Sequence, residues 1–442
     1  MNFLLKTKHS LAARPLIAGT LILTATGFIT RTIGFFYRIY LSRLFGEEGM
    51  GIYQLLSPIL SLTFSLCAAA YQTAISKYVA EYRGTDRLKP LMSGLLLSTP
   101  LSFGCLVILY AQADFIAARL LMEPRCASMI RILAFSVPLS SIHSCINGYF
   151  YGIKKTTPAA LAQLMEQLAR VGCVWLVSSR FLEKGIPPSI DIAVFGLFVG
   201  ELISFFISLG AIYLEKLRAC QTENSSRSSD FYTLTLLKMA LPLTLNRIVL
   251  NLLQSVEAVS IPAKLKLYGY DNPTALSVYG VLTGMAMPFI FFPNALTGSI
   301  SVLLLPLVSE NHAASNTIAV KNAIHRTIRF CILLGISFLI LFLVTGNFVG
   351  TRIFNSPLAG HFIRTLSFLC PFLYLDTTLS SILQGLGKAG TLFFMNVFAL
   401  LVRLAFVFFA IPLTGITGYL WGILVSQILL SILYLICLKE FL

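Results

Sequence analysis

The sequence predicts an all-α polytopic membrane protein, with twelve transmembrane helices in two six-helix lobes. Three observations predict it. First, 57% of the 442 residues are hydrophobic and only 12% are charged, whereas a soluble domain carries about 25% charged residues; the mean hydropathy is +0.83. Second, the apolar residues fall in runs long enough to cross a bilayer, which takes roughly 20 residues of helix. Third, the chain repeats. A shift of 233 positions aligns Arg131 with Arg364, Phe135 with Phe368, Pro138 with Pro371, Gly152 with Gly385, Lys155 with Lys388 and Arg170 with Arg403. Six spans per half is an even number, so both halves run the same way through the membrane. That is a parallel repeat with its pseudo-twofold along the membrane normal, an arrangement transporters use to build a central cavity.

The expected spans are 15–42, 50–80, 90–112, 129–152, 157–180, 190–214, 233–262, 275–306, 325–349, 360–385, 391–413 and 416–438. Lys6, Lys8 and Arg14 precede the first run. That run is too long for a signal peptide and lacks a small-residue cleavage site, so it reads as a retained span. Pro288 and Pro293 with Gly284 and Gly298 make the eighth span the most interrupted; such prolines act as hinges or static kinks. Glu215–Asp230 is the one long polar, Ser-rich stretch. The expected domains are therefore an N-lobe at 1–214, a cytoplasmic linker at 215–231 and a C-lobe at 232–442. With the N-terminus inside, eighteen loop Lys and Arg residues lie inside against eight outside, which by the positive-inside rule puts both termini in the cytoplasm.

Several function classes drop out. The net charge of +15 is spread over short loops rather than gathered on one face, so it argues for membrane topology and not for nucleic acid. The nine cysteines form no C-x-x-C pair, and most lie inside apolar runs as packing residues; no metal site is expected. There is no G-x-x-x-x-G-K-[ST], no G-x-S-x-G and no H-E-x-x-H. Neither an enzyme nor an ATP-driven pump is expected. No cofactor is expected beyond a coupling ion, proton or sodium.

The candidate site lies in the opening span of each half. Arg31 and Arg38 are seven residues apart, about two turns, so they share one helix face. Arginine at membrane depth is costly and normally faces a cavity or a partner. The seventh span carries Asn246, Arg247, Asn251, Gln254 and Glu257; the last three lie four, seven and ten residues after Arg247, which makes a polar stripe on an apolar helix. The repeat sets Arg31 and Arg247 on opposite walls of one cavity, where their planar forks suit a phosphate-bearing substrate. Glu257 either pairs with an arginine structurally or titrates and couples transport to protons or sodium. Elsewhere, Arg43 is expected to snorkel to the interface. Glu166 is the helical partner of Arg170. Glu201 and Asp376 are isolated helix-pairing residues, and His143 is a packed neutral imidazole.

R-T-I-G-F-F-Y-R-I-Y-L-S-R-L-F-G-E-E-G-M-G-I-Y-Q-L, Arg31 to Leu55, resembles the opening of stage V sporulation protein B-like polysaccharide flippases. Y-G-V-L-T-G-M-A-M-P-F-I through L-L-L-P-L-V-S-E, Tyr279 to Glu310, and I-L-Q-G-L-G-K, Ile382 to Lys388, resemble the same family. It belongs to the multidrug/oligosaccharidyl-lipid/polysaccharide (MOP) exporter superfamily. The resemblance implies two six-helix lobes and alternating access for a lipid-linked saccharide used in peptidoglycan, polysaccharide or spore-wall synthesis. Lipid II flippases of that superfamily carry R-x-x-G-F-x-R in the first span. Arg31, Gly34 and Phe35 match it, and the second arginine falls one residue late at Arg38. The expected protein is a monomer in the cytoplasmic membrane. It moves an undecaprenyl-pyrophosphate-linked saccharide, with membrane lipids as its other partners and no nucleotide. The alternative is an ion-coupled multidrug extruder of the same fold.

Overall fold

The computed structural model describes residues 15–82, 87–220 and 232–439, which are helical with no strand among them. Lys6, Lys8, Arg14, Arg83 and Arg227, counted above for topology, lie outside the described residues. Thirteen long helices follow in order: α1 Pro15–Gln54, α2 Ser57–Glu81, α3 Leu88–Ala111, α4 Cys126–Gly152, α5 Thr157–Glu183, α6 Asp191–Cys220, α7 Tyr232–Tyr268, α8 Asn272–Phe291, α9 Asn294–Ala313, α10 Thr317–Ile353, α11 Pro357–Gly385, α12 Ala389–Thr414 and α13 Ile416–Cys437. Ten of these, all but α1, α5 and α9, are long and apolar enough to span by length and composition. The α1 and α5 helices are also long enough, at 40 and 27 residues.

Three boundaries differ from the sequence expectation. The first helix runs on to Gln54, through a break at Gly46 (φ 70°), so the second span begins at Ser57 and not near 50. The expected eighth span is two helices, because Pro293 withholds an amide hydrogen at their junction and α9 restarts at Asn294. Residues 215–220 of the expected linker are the last turns of α6, and 221–231 lie outside the described residues.

The chain divides into two compact units, and not at the linker. Unit 1 is Met1–Gly34 with Leu56–Leu252; unit 2 is Phe35–Leu55 with Leu253–Leu442. Each opening helix, α1 and α7, therefore starts in unit 1 and ends in unit 2.

Within unit 1, α4 packs on α2, α3 and α6, and α5 packs on α6. Its core joins Ile75 and Val79 of α2, Ile146, Tyr149 and Phe150 of α4, and Leu236 and Ala240 of α7. Within unit 2, α11 packs on α9, α10 and α13, and α12 packs on α13. Its core holds Val308, Ile324, Leu379, Ile382, Leu383 and Tyr434. Ile146, Tyr149 and Phe150 map by the 233-residue shift onto Leu379, Ile382 and Leu383, so the repeat seen in sequence is the same core built twice. Gly152 and Gly385 close it in each unit. A Cβ on Gly152 would lie 2.7 Å from the Ser76 carbonyl oxygen, and one on Gly385 would lie 2.9 Å from that of Leu305.

The two longest stretches of resemblance meet inside unit 2. Phe35 of α1 stacks on Phe289 and Phe292, with ring centroids 5.7 and 4.9 Å away. At the far end of α1 the backbones touch. A Cβ on Gly51 would stand 2.1 Å from the Leu276 carbonyl oxygen, and one on Gly280 would stand 2.3 Å from that of Glu47. Small residues at such a crossing let two membrane helices approach to backbone contact. Nearby, Arg43 donates to the Arg352 and Ile353 carbonyls, at 2.6 and 2.7 Å, and so caps the end of α10. The expected snorkelling arginine is instead a helix C-cap.

Candidate substrate and ion sites

The structure sorts the seven candidate residues by unit. Arg31, Asn246, Arg247 and Asn251 belong to unit 1; Arg38, Gln254 and Glu257 belong to unit 2. The repeat puts one opening-span arginine in each half of the sequence, yet both Arg31 and Arg247 fall within unit 1. Arg31, Asn246, Arg247 and Gln254 are exposed, and Arg38 is half-buried and engaged by a neighbour. The Asn251 amide donates to the Ser61 carbonyl at 3.3 Å and to the Ser65 hydroxyl, which ties α7 to α2.

The arginines at membrane depth separate into paired and unpaired. Arg131 bonds Asp114 at 2.6 Å, Arg170 bonds Glu166 at 2.5 Å and Arg403 bonds Glu257. Arg31, Arg247 and Arg364 have no ion pair among the described residues. Arg364 stands near the start of α11, whereas Arg31 and Arg247 stand well inside their helices. A charge so placed needs water or an anion beside it, since hydrocarbon offers no compensation.

Glu257 is 4% exposed. Its Oε2 accepts from Arg403 Nη2 at 2.7 Å, its Oε1 lies 2.5 Å from Arg403 Nε, and the buried Tyr419 hydroxyl donates to Oε1 at 2.8 Å. Only the Nη2 contact is a hydrogen bond; the Nε contact is an ion pair without hydrogen-bond geometry. Together these contacts join α7, α12 and α13. Asp376 of α11 behaves as expected of a helix-pairing residue: it accepts from Gln427 at 2.5 Å and from Ser431 at 2.7 Å, both on α13.

His143 and Glu201 do not behave as expected. His143 Nε2 lies 2.8 Å from Glu201 Oε2, and its Nδ1 lies 3.4 Å from both Ser204 Oγ and Asn147 Nδ2. Glu166 joins them, so that ligand atoms of His143, Glu166 and Glu201 lie within 4.8 Å of one another. The three come from α4, α5 and α6. Each is alone on its own helix, so no spacing rule could join them. Arg170 is bonded to Glu166 alone, so the ionised cluster holds two carboxylates and one fixed cation, one positive charge short of neutral. A proton on His143 or one monovalent cation would balance it.

A model of the polysaccharide biosynthesis protein family matches residues 16–312, and the MatE family model matches 228–409. Stage V sporulation protein B of Bacillus subtilis (strain 168) is 29% identical over 435 residues, spanning 96% of this chain and 83% of that protein. Lipid II flippase MurJ of the same strain is 23% identical over 405 residues, spanning 84% and 73%. Among solved structures, an inward-facing multidrug resistance MATE family transporter of the MOP superfamily superposes with a TM-score of 0.74 at 14% identity, covering 95% of this chain and 97% of that one. Lipid II flippase MurJ in an inward closed conformation superposes at 0.72, again at 14% identity, covering 95% and 87%. The chain is a multi-pass membrane protein with the two-lobe MOP exporter fold, and it belongs to the polysaccharide biosynthesis protein family.

Proposed function

We propose that this protein is a flippase, which carries a lipid-linked saccharide of the undecaprenyl-pyrophosphate class across the cytoplasmic membrane by alternating access. The observation that carries the reading is the pair of exposed, unpaired arginines well inside spanning helices, Arg31 and Arg247. A pyrophosphate supplies the negative charge they lack, and their forks can each give it two hydrogen bonds. Asn246, in the same unit, supplies a further donor toward the head group and sugar, with Asn251 positioned by α2. The similarity to stage V sporulation protein B and Lipid II flippase MurJ supports the same substrate class. Without a nucleotide motif, the movement draws on an ion gradient, the membrane potential or the substrate gradient. Among the described residues, Glu257 and the His143–Glu166–Glu201 group are candidate places for a coupling proton or sodium. The second is the one short of positive charge.

The test is flipping of a fluorescent undecaprenyl-pyrophosphate-linked sugar in proteoliposomes. A charge-assisted hydrogen bond contributes about 1.5–3 kcal/mol, so Arg31→Ala or Arg247→Ala should each weaken substrate engagement roughly ten- to a hundredfold. Lysine should rescue only in part, since it keeps the charge and loses the fork. Normal flipping by both alanine variants would make these arginines structural. A second reading, ion-coupled drug extrusion, is favoured by the MatE match over 228–409. It predicts uptake of organic cations by the same vesicles and no response to either arginine.

A further inference from the structure

The sharpest departure from the repeat lies in the loop between α4 and α5. Both this loop and its copy between α11 and α12 turn through a left-handed residue at the same place, Lys154 (φ 62°) and Gly387 (φ 76°). Glycine adopts that conformation freely, and lysine, with its Cβ, does so only under strain. The next residue is matched. Lys388 donates to the Cys437 carbonyl at 3.3 Å, and Lys155 donates to Glu215 at 2.6 Å, so each lysine ties its loop to the last helix of its own half. Lys154 is the addition. It is exposed, with no ion pair or hydrogen bond to its ammonium among the described residues.

Beside Lys154 a cavity of about 890 Å³ opens within unit 1, near the top of the size range for small-molecule sites. Its wall is apolar, formed by Ile22, Phe150, Leu161, Ile207 and Leu214. Its rim carries Lys154, Lys155 and Glu215, a net charge of one positive. A soluble anion would leave the wall in water, and a zwitterionic lipid would leave Lys154 uncompensated. An anionic amphiphile satisfies both. By the positive-inside count the rim faces the cytoplasmic leaflet, where anionic lipids gather and basic pockets between helices hold their head groups. We infer that this cavity binds one anionic glycerophospholipid, with its phosphate at Lys154 and its acyl chains along the Ile22–Leu161–Ile207 wall. Neither Arg31 nor Arg247 lines the cavity, so the site stands or falls separately from the flipping reading.

The experiment uses the full chain in phosphatidylcholine nanodiscs, with retained phosphatidylglycerol counted by native mass spectrometry alongside the thermal midpoint. Lys154→Gly should weaken phosphatidylglycerol retention about fivefold while raising the midpoint, because the left-handed turn is relieved. Lys154→Arg should retain the lipid. Gly210→Leu, where an added Cβ meets nothing within 4 Å, should fill the cavity and lower retention without touching the lysines. Phosphatidylcholine binding should be the same in all variants. Wild-type retention by Lys154→Gly would overturn the inference. Displacement by glycerol phosphate alone would make this a soluble-anion site, and preferential displacement by undecaprenyl phosphate would make it a site for the carrier. Either result also overturns it.

Discussion

Glu257→Gln distinguishes a structural from a coupling role for the one acidic residue on the seventh span. The substitution keeps the shape of the side chain and removes its charge. Arg403 then stays in place, 23% exposed, with its one ion-pair partner among the described residues neutralised. Breaking a buried pair by removing one member costs about 3–5 kcal/mol. At about 2–4 °C per kcal/mol for a unit of this size, the midpoint should fall by roughly 6–20 °C. Glu257→Leu combined with Arg403→Met should recover most of that loss, because apolar replacement of both members of a buried pair is often neutral or stabilising. The assay is thermal unfolding of the detergent-purified protein, run as a double-mutant cycle, with flipping measured in parallel. A structural pair gives a large coupling energy and flipping that tracks the folded fraction. Refutation would be a Glu257→Gln protein of wild-type stability whose flipping no longer responds to the proton or sodium gradient.

Two further predictions concern packing. Gly51→Ala drives a methyl into the Leu276 carbonyl and should cost about 1–3 kcal/mol as overpacking, as should Gly280→Ala; both should lower the thermal midpoint, whereas Gly104→Ala, with open space around its Cβ, should not. Arg43→Ala removes two charge-assisted bonds from the end of α10 and should cost about 1–2 kcal/mol, seen as faster amide exchange at 349–353, and Arg43→Lys should restore part of the protection.

The spans and the repeat were legible because both are one-dimensional. A bilayer imposes a run length, and a duplicated core repeats its residues at a fixed shift, as Ile146 and Leu379 do. Glu166 with Arg170 was legible for the same reason, being one helical turn. Contacts that join separate helices were not. Glu257 sits 146 residues from Arg403, and His143 sits 58 from Glu201; nothing local in either stretch names the partner. The Arg43 cap was hidden likewise, since its acceptors are main-chain carbonyls 309 and 310 residues away. The division of the compact units inside α1 and α7 was hidden for a further reason. A Ser-rich loop marks where the chain is exposed to water, and says nothing about which helices share a core.

That unit boundary has a consequence for biosynthesis. The unit 1 core includes Leu236 and Ala240, which are made after the linker, and unit 2 includes 35–55, which is made almost first. The unit 1 core is completed only by α7, whereas the unit 2 core lies wholly in the second half, between Leu304 and Leu438. During synthesis the early segment 35–55 must wait for partners made more than 200 residues later, from Leu276 to Ile353. A ribosome that stalled at the linker would leave both units unfinished. Two fragments ending at 220 and starting at 232 would be obligate complements, each donating one opening-helix segment to the other. The first half thus depends on the second for part of its core, and the second half takes only the segment 35–55 from the first.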